Sequence, residues 1–286
     1  MSKVRVKDAA TEAMNFGLQR WGTVLRVGWF PYLMVLVTMI MAYGFVLQPY
    51  FSEIAANPEG ADVIINNALN TPPGIVAQVV VGIFNVILLA CVMNVLYRFV
   101  ATGEEPPAGL AFFRLGPAEW RMTLAFLAYY IVMIVAGFAV SAPFLLIDGV
   151  FGVDEGPVAT VLAFGLLGAV CFILWVGVRL IIFTPATAVE ERLVLLRAWR
   201  LSEGHFWGFL GALLLVMLIF LVGYLILVVT AGLIITVGGV ITAVAGGAVG
   251  GLFIAACLLV AAPVAVSVLG GVGIALPAVL YRQLTE

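Results

Sequence analysis

The sequence predicts an all-α integral membrane protein with six transmembrane helices and amphipathic interfacial helices on the cytoplasmic side. Three observations carry that expectation. The 286 residues are 64% hydrophobic and 10% charged, against about 45–50% and about 25% in soluble domains. Six apolar runs, at 28–48, 74–97, 122–147, 157–183, 207–230 and 254–281, match the roughly 20 residues that a membrane helix needs. The charges, finally, sort by sign between alternate sides of those runs. So few charges cannot cover a water-facing surface of this size. Water-soluble enzyme, nucleic-acid-binding module and disordered scaffold are therefore poor readings.

The sorting sets the number of spans. With the N-terminus in the cytoplasm, the inner segments hold Lys3, Arg5, Lys7, Arg20 and Arg26, then Arg98, Arg114 and Arg121, then Arg179, Arg192, Arg197 and Arg200, and last Arg282. These are all 13 basic residues of the chain. The outer segments hold only acids: Glu53, Glu59, Asp62, Asp148, Asp154 and Glu155. The positive-inside rule needs only a bias in short loops, and here the separation is complete. From Phe206 to Tyr281 there are 76 residues without Asp, Glu, Lys or Arg, room enough for a further span. A seventh span would carry Arg282 outside. Six spans with both termini cytoplasmic is the expected layout, and the glycine-rich stretch 231–252 is an outer connector, re-entrant or interfacial.

The first segment is not expected to be a cleaved signal. Asp8, Glu12, Asn15, Gln19 and Arg20 occupy the place of a signal's apolar core. Between Lys7 and Arg26, Ala10, Met14, Leu18, Trp21 and Leu25 recur every three or four residues, with polar residues between them. That periodicity predicts a helix lying in the interface plane over 1–27. A second such helix is expected over 185–206. There Thr187 and Glu190 have capping-box spacing, and Val189, Leu193, Leu196 and Trp199 form the apolar stripe. In the middle of the chain, Gly116-Pro117 sets a helix start from which the third span grows.

These anchors suggest three hairpins, 28–99, 108–183 and 207–282, as pseudo-repeats within one membrane domain spanning 1–286. Arg20-Trp21, Trp120-Arg121 and Trp199-Arg200 precede the odd-numbered spans, and Arg98, Arg179 and Arg282 close the even-numbered ones. With Arg197, His205 and Trp207, the interfacial arginines and tryptophans are the candidate contacts for lipid or a membrane partner. The nine inner acids keep the long-range attraction to anionic lipid modest.

Chemistry is hard to find in this chain. No span centre carries an ionisable side chain, which argues against proton-coupled transport. Arg179 is the nearest case, and it can reach the interface or pair with Glu190 or Glu191. Asn85 and Asn94 stand half a helical turn out of phase, so each is expected to bind a neighbouring helix rather than line a pore. Gly239, Ala243, Gly247 and Gly251 offer small-xxx-small contacts. A lone histidine, His205, cannot build a zinc cluster, and Ser202 three residues before it looks like a cap. Cys91, Cys171 and Cys257 are read as small apolar-run residues, not as a disulfide or metal set. No catalytic residue, metal or cofactor is expected, and no nucleic-acid partner.

One block of residues has a familiar look. Arg179-Leu180, Pro185-Ala-Thr-Ala-Val-Glu190 and Ala198-Trp-Arg-Leu-Ser-Glu-Gly-His-Phe-Trp207 run into the fifth span. This block resembles the membrane domain that accompanies bacterial glycerophosphoryl diester phosphodiesterases, and related six-helix inner-membrane proteins. The resemblance implies the six-span layout. It implies no activity, because catalysis in those enzymes belongs to a separate soluble domain. The expected role is non-enzymatic, structural or membrane-organising, with lipids, a second copy or a membrane protein as partner. The alternative is a carrier or channel for a lipid-like small molecule, through a cavity among helices 207–281.

Overall fold

A computed structural model of the protein describes residues 4–107, 109, 114–151 and 157–286. Lys3, Asp154 and Glu155 of the expected charge map lie outside the described residues. Among the described residues, six helices are long and apolar enough to cross a membrane, so the multi-pass helical architecture stands as expected.

The first is α1, Val6–Leu47, which is followed by two short helices, α2 (Phe51–Ala56) and α3 (Ala61–Leu69). Next comes α4, Pro72–Thr102, opened by Thr71, whose hydroxyl accepts the Gly74 N–H, and closed by Gly103 at φ 77°. Helix α5 covers Pro117–Phe151 and α6 covers Pro157–Leu180. Two short helices, α7 (Phe183–Glu190) and α8 (Leu195–Leu201), lead to α9 (Phe206–Ala245) and α10 (Gly247–Thr285).

Packing is concentrated at one end. The main core joins Ala9, Ala13 and Val27 of α1 to Leu96 of α4, Met122 of α5, Phe183 of α7, Phe209 of α9 and Leu276 of α10. Ala9, Ala13, Leu96, Met122 and Leu276 lie in the arginine-bearing halves of α1, α4, α5 and α10, and Phe183 and Phe209 lie in the first turns of α7 and α9, which carry no arginine. The opposite halves turn large apolar side chains outward, as at Ile40, Phe45, Phe138 and Tyr224. Glu53, Glu59 and Asp62 sit on the short segments that join α1 to α4 at that far end. Among the described residues the arginines thus gather at one end of the bundle, while acids stand at both.

Three expected elements are corrected. The lead-in over 1–27 is not a separate interfacial helix, because α1 runs unbroken from Val6 into the span. Its buried face is Ala9, Ala10, Ala13, Gly17, Val24 and Val27, while Leu18 and Trp21 of the expected stripe are exposed. Small side chains decide this choice, since they let the α1 backbone approach α10 closely.

The interfacial helix over 185–206 is two helices, and the first is buried. Phe183 to Ala188 are all enclosed. The Thr187–Glu190 spacing is not a helix start: α7 begins two residues before Pro185 and ends at Glu190, with Glu191 left-handed at φ 52°. Proline is tolerated in the first turn, where its missing N–H has no helical partner. It therefore marked the opening of α7 rather than a boundary before it.

The connector over 231–252 is also absent as a separate element. Helices α9 and α10 both run through it and reverse at Gly246, at φ 94° and ψ 157°. Only glycine takes that conformation without strain. Gly246→Ala is expected to lower unfolding stability in detergent by about 1–3 kcal/mol. Gly247→Ala, at a helical position with open space around it, should leave the melting curve near wild type. Equal melting of the two variants would refute a strained reversal. Within this hairpin the close contacts fall on Gly238, against Ile254, and on Gly250, against Thr242. Gly239, Gly247 and Gly251 of the expected small-residue series face open space.

Candidate membrane interface

The arginine-bearing end is built on the short α7 and the turn after it. Because Glu191 is left-handed, the chain reverses there and the carboxylates of Glu190 and Glu191 serve different neighbours. Glu190 accepts from Arg192 at 3.0 Å, from Arg197 at 2.6 Å and from the Tyr281 hydroxyl at 3.1 Å. Its side chain is only 12% exposed, so this carboxylate stands where water cannot replace its partners. Glu191 pairs with Arg98 at 2.6 Å and Arg121 at 3.5 Å, and Arg98 also holds Glu104 at 2.8 Å. Two adjacent acids thus connect α4, α5, α8 and α10. Arg282, next to Tyr281, pairs with Glu12 and donates to the Val100 carbonyl.

Beside this network is a polar cavity of about 360 Å³, lined among others by Arg98, Arg114, Arg121, Glu119 and Glu191. Glu119 is buried and reaches back to accept the Gly116 N–H at 2.9 Å. This is half of a capping box at the start of α5. Its other oxygen accepts from the amide of buried Asn94 at 3.3 Å, so Asn94 does bind a neighbouring helix. Asn85, expected to do the same, is exposed without a partner among the described residues.

The expected contact residues fall into separate groups. Arg98, Arg121 and Arg197 belong to the Glu190–Glu191 network. Arg20 lies over the Phe99 ring at 5.7 Å, beside exposed Trp21. Trp120 and Trp207 project outward, at 49% and 79% exposure, and Arg200 is exposed. Arg179 does not pair with Glu190 or Glu191. Its guanidinium lies 5.2 Å from the Trp175 ring and 5.0 Å from the Trp199 ring, and those rings meet edge to face at 5.3 Å. The three span-closing arginines therefore occupy two kinds of environment: acids meet Arg98 and Arg282, and indoles meet Arg179.

Ser202 and His205 do not form a nucleophile–base pair in this geometry. The Ser202 hydroxyl donates to the Trp199 carbonyl at 2.8 Å. His205 Nδ1 is 3.0 Å from the Glu203 carbonyl, and its ring stacks on Phe209. Cys91 is buried, with its thiol donating to the Arg114 carbonyl. Among the described residues, no group of three or more His, Cys, Asp or Glu side chains could hold a metal.

Sequence reasoning missed the hub role of Glu190 and Glu191, and it missed Glu119, Tyr281 and Trp175. The only sequence signal for the hub is an acidic doublet just after a helix-opening proline. Comparison with protein families, curated proteins and solved structures finds no match to this chain. Its function must be argued from its own geometry.

Proposed function

We propose that this is a non-enzymatic bacterial inner-membrane protein, with cytoplasmic termini, that organises the membrane through contacts with lipid or a membrane partner. The supporting observation is the division of the bundle into two unlike halves. One half is closed by side-chain packing and by the Glu190–Glu191 network. The other turns side chains such as Met41, Phe45 and Phe138 outward at 66–75% exposure. A rigid base carrying an apolar outer surface suits persistent contact with acyl chains or another membrane helix. The resemblance of Arg179–Trp207 to the membrane domain found beside phosphodiesterases belongs to the same reading.

Reconstitution into liposomes tests the role. The expected result is a change in vesicle shape, in lipid clustering or in recruitment of a membrane partner, relative to protein-free vesicles. Vesicles indistinguishable from protein-free ones would remove the organising role.

A second reading, carriage of a lipid-like molecule, is favoured by one feature. An apolar cavity of about 700 Å³ opens between α1 and α4, lined by Met41, Phe45, Val76 and Val80 among others. It lies away from helices 207–281, where such a cavity was expected. Movement of labelled lipid between leaflets in the same vesicles would favour carriage over organisation.

A further inference from the structure

We propose that Arg179, Trp175 and Trp199 form a binding site for the phosphate of an anionic phospholipid in the leaflet at the arginine-bearing end. The inference deepens the organising role and rests on that end lying at a membrane surface.

Of the other arginines of this end, Arg20, Arg26, Arg114 and Arg200 have no carboxylate within ion-pair distance among the described residues. Arg98, Arg121, Arg192, Arg197 and Arg282 each have a carboxylate within ion-pair distance. Arg179 has none among the described residues, and its Nε is enclosed without a hydrogen-bond partner. Of the acids near α7 and α8, Glu190 is committed to Arg192, Arg197 and Tyr281, Glu191 to Arg98 and Arg121, and exposed Glu203 makes no ion pair with Arg179. A guanidinium is never deprotonated in a protein and carries five donors. Of its nitrogens only Nε is fully enclosed, so an anion from outside the chain would meet the terminal nitrogens, whose donors are costly to leave without an acceptor in partly apolar surroundings.

Two features commit that anion to a lipid rather than to a free phosphate. The indoles of Trp175 and Trp199 hold the guanidinium by cation–π contact, and paired tryptophans are typical of the headgroup level of a membrane. The surface around the clamp is apolar: Leu174 on α6 is 53% exposed and Leu196 on α8 is 76% exposed. A free ion gains nothing from such a surface, whereas a phosphodiester bearing acyl chains meets charge and hydrocarbon together. Arg200, exposed and without an ion pair among the described residues, adds positive charge on the same short helix. Arg179 and Arg200 outnumber exposed Glu203 beside α8, which leaves a local positive balance complementary to an anionic headgroup.

The test measures lipid preference rather than stability. Purified full-length protein is equilibrated in phosphatidylcholine nanodiscs doped with phosphatidylglycerol, and retained lipid is counted by native mass spectrometry. Wild type is expected to retain phosphatidylglycerol in preference, and Arg179→Gln to lose that preference about tenfold, the weight of a charged hydrogen-bonded contact. Arg179→Lys, which keeps the charge but not the planar stack, should fall between them. Lipids with brominated chains give a second readout through quenching of tryptophan fluorescence, with Trp21, Trp29, Trp120 and Trp207 replaced by Phe. Stronger quenching by brominated phosphatidylglycerol than by brominated phosphatidylcholine, abolished in Arg179→Gln, supports the site. Equal quenching by both lipids in wild type would overturn the site while leaving membrane contact intact. No quenching by either would remove the site together with the membrane-surface reading. Displacement of the lipid by inorganic phosphate at equal concentration would overturn the lipid assignment.

Discussion

Gly17→Ala is expected to destabilise the protein by about 1–3 kcal/mol, and Gly17→Leu by more, in unfolding titrations from mixed micelles. The cause is the crossing of α1 and α10. A Cβ at Gly17 would lie 2.4 Å from Val272 Cγ2 and 2.6 Å from the Val268 carbonyl oxygen. A side-chain methyl can rotate away, but a carbonyl oxygen in a helix cannot, so the helices must separate. On the facing helix, a Cβ at Gly271 would meet the Gly17 Cα at 3.1 Å. The same surface continues through Ala9 and Ala13 on α1 and through Ser267 and Ala275 on α10, all buried. Two four-residue series of small side chains therefore face each other, the pattern that permits close helix approach.

Gly22 supplies the matched control. It lies on the same helix with no atom near its added Cβ, so Gly22→Ala should gain about 0.5–1 kcal/mol from reduced chain entropy. Opposite signs at two glycines five residues apart would locate the effect in the crossing. Equal effects would show that helix propensity alone is being measured. Separation of α1 from α10 should also release Arg282 from Glu12, so loss of packing and loss of the charge network are expected together.

The crossing also explains which parts of the fold were legible in the sequence. The six spans follow from composition and charge, because each span must satisfy its own backbone and bury few charges. Which face of α1 is buried does not follow from hydropathy. Hydropathy ranks Leu18 and Trp21 above Ala13 and Gly17, yet the first pair is exposed and the second buried. Against lipid, an apolar side chain gains nothing by turning inward, so size decides the contact. The same reason moved the glycine contacts of the last hairpin to Gly238 and Gly250, since several registers of small residues were open and only the facing helix selects one. Among the candidate contacts, the sequence located the arginines and tryptophans at one end but could not pair them. Arg98 finds one partner locally in Glu104, but the partner it shares with Arg121 is Glu191, 93 and 70 residues away in the chain. A left-handed residue aims that carboxylate, and no local pattern announces it.

Glu119→Ala is expected to cost about 2–4 kcal/mol, because it strands one buried and one part-buried donor. Glu119 and Asn94 are 5% and 4% exposed. Removing the carboxylate leaves the Asn94 amide and the Gly116 N–H without their acceptor and takes a negative charge from the start of α5, where the helix dipole favours it. Glu119→Gln keeps an acceptor and the shape, so a smaller loss is expected. The discriminating measurement is a double-mutant cycle. Asn94→Leu alone leaves a buried carboxylate short of a donor, whereas Asn94→Leu with Glu119→Leu removes both partners at once. The double variant should therefore be less destabilised than the sum of the single variants by about 1 kcal/mol or more. Strict additivity would mean that Asn94 and Glu119 do not act as a clasp. A positive coupling would place a polar fastening between α4 and α5 beside the cavity, at the end of the bundle that packing and ion pairs already hold rigid. The apolar halves would then be free to meet lipid from a fixed base.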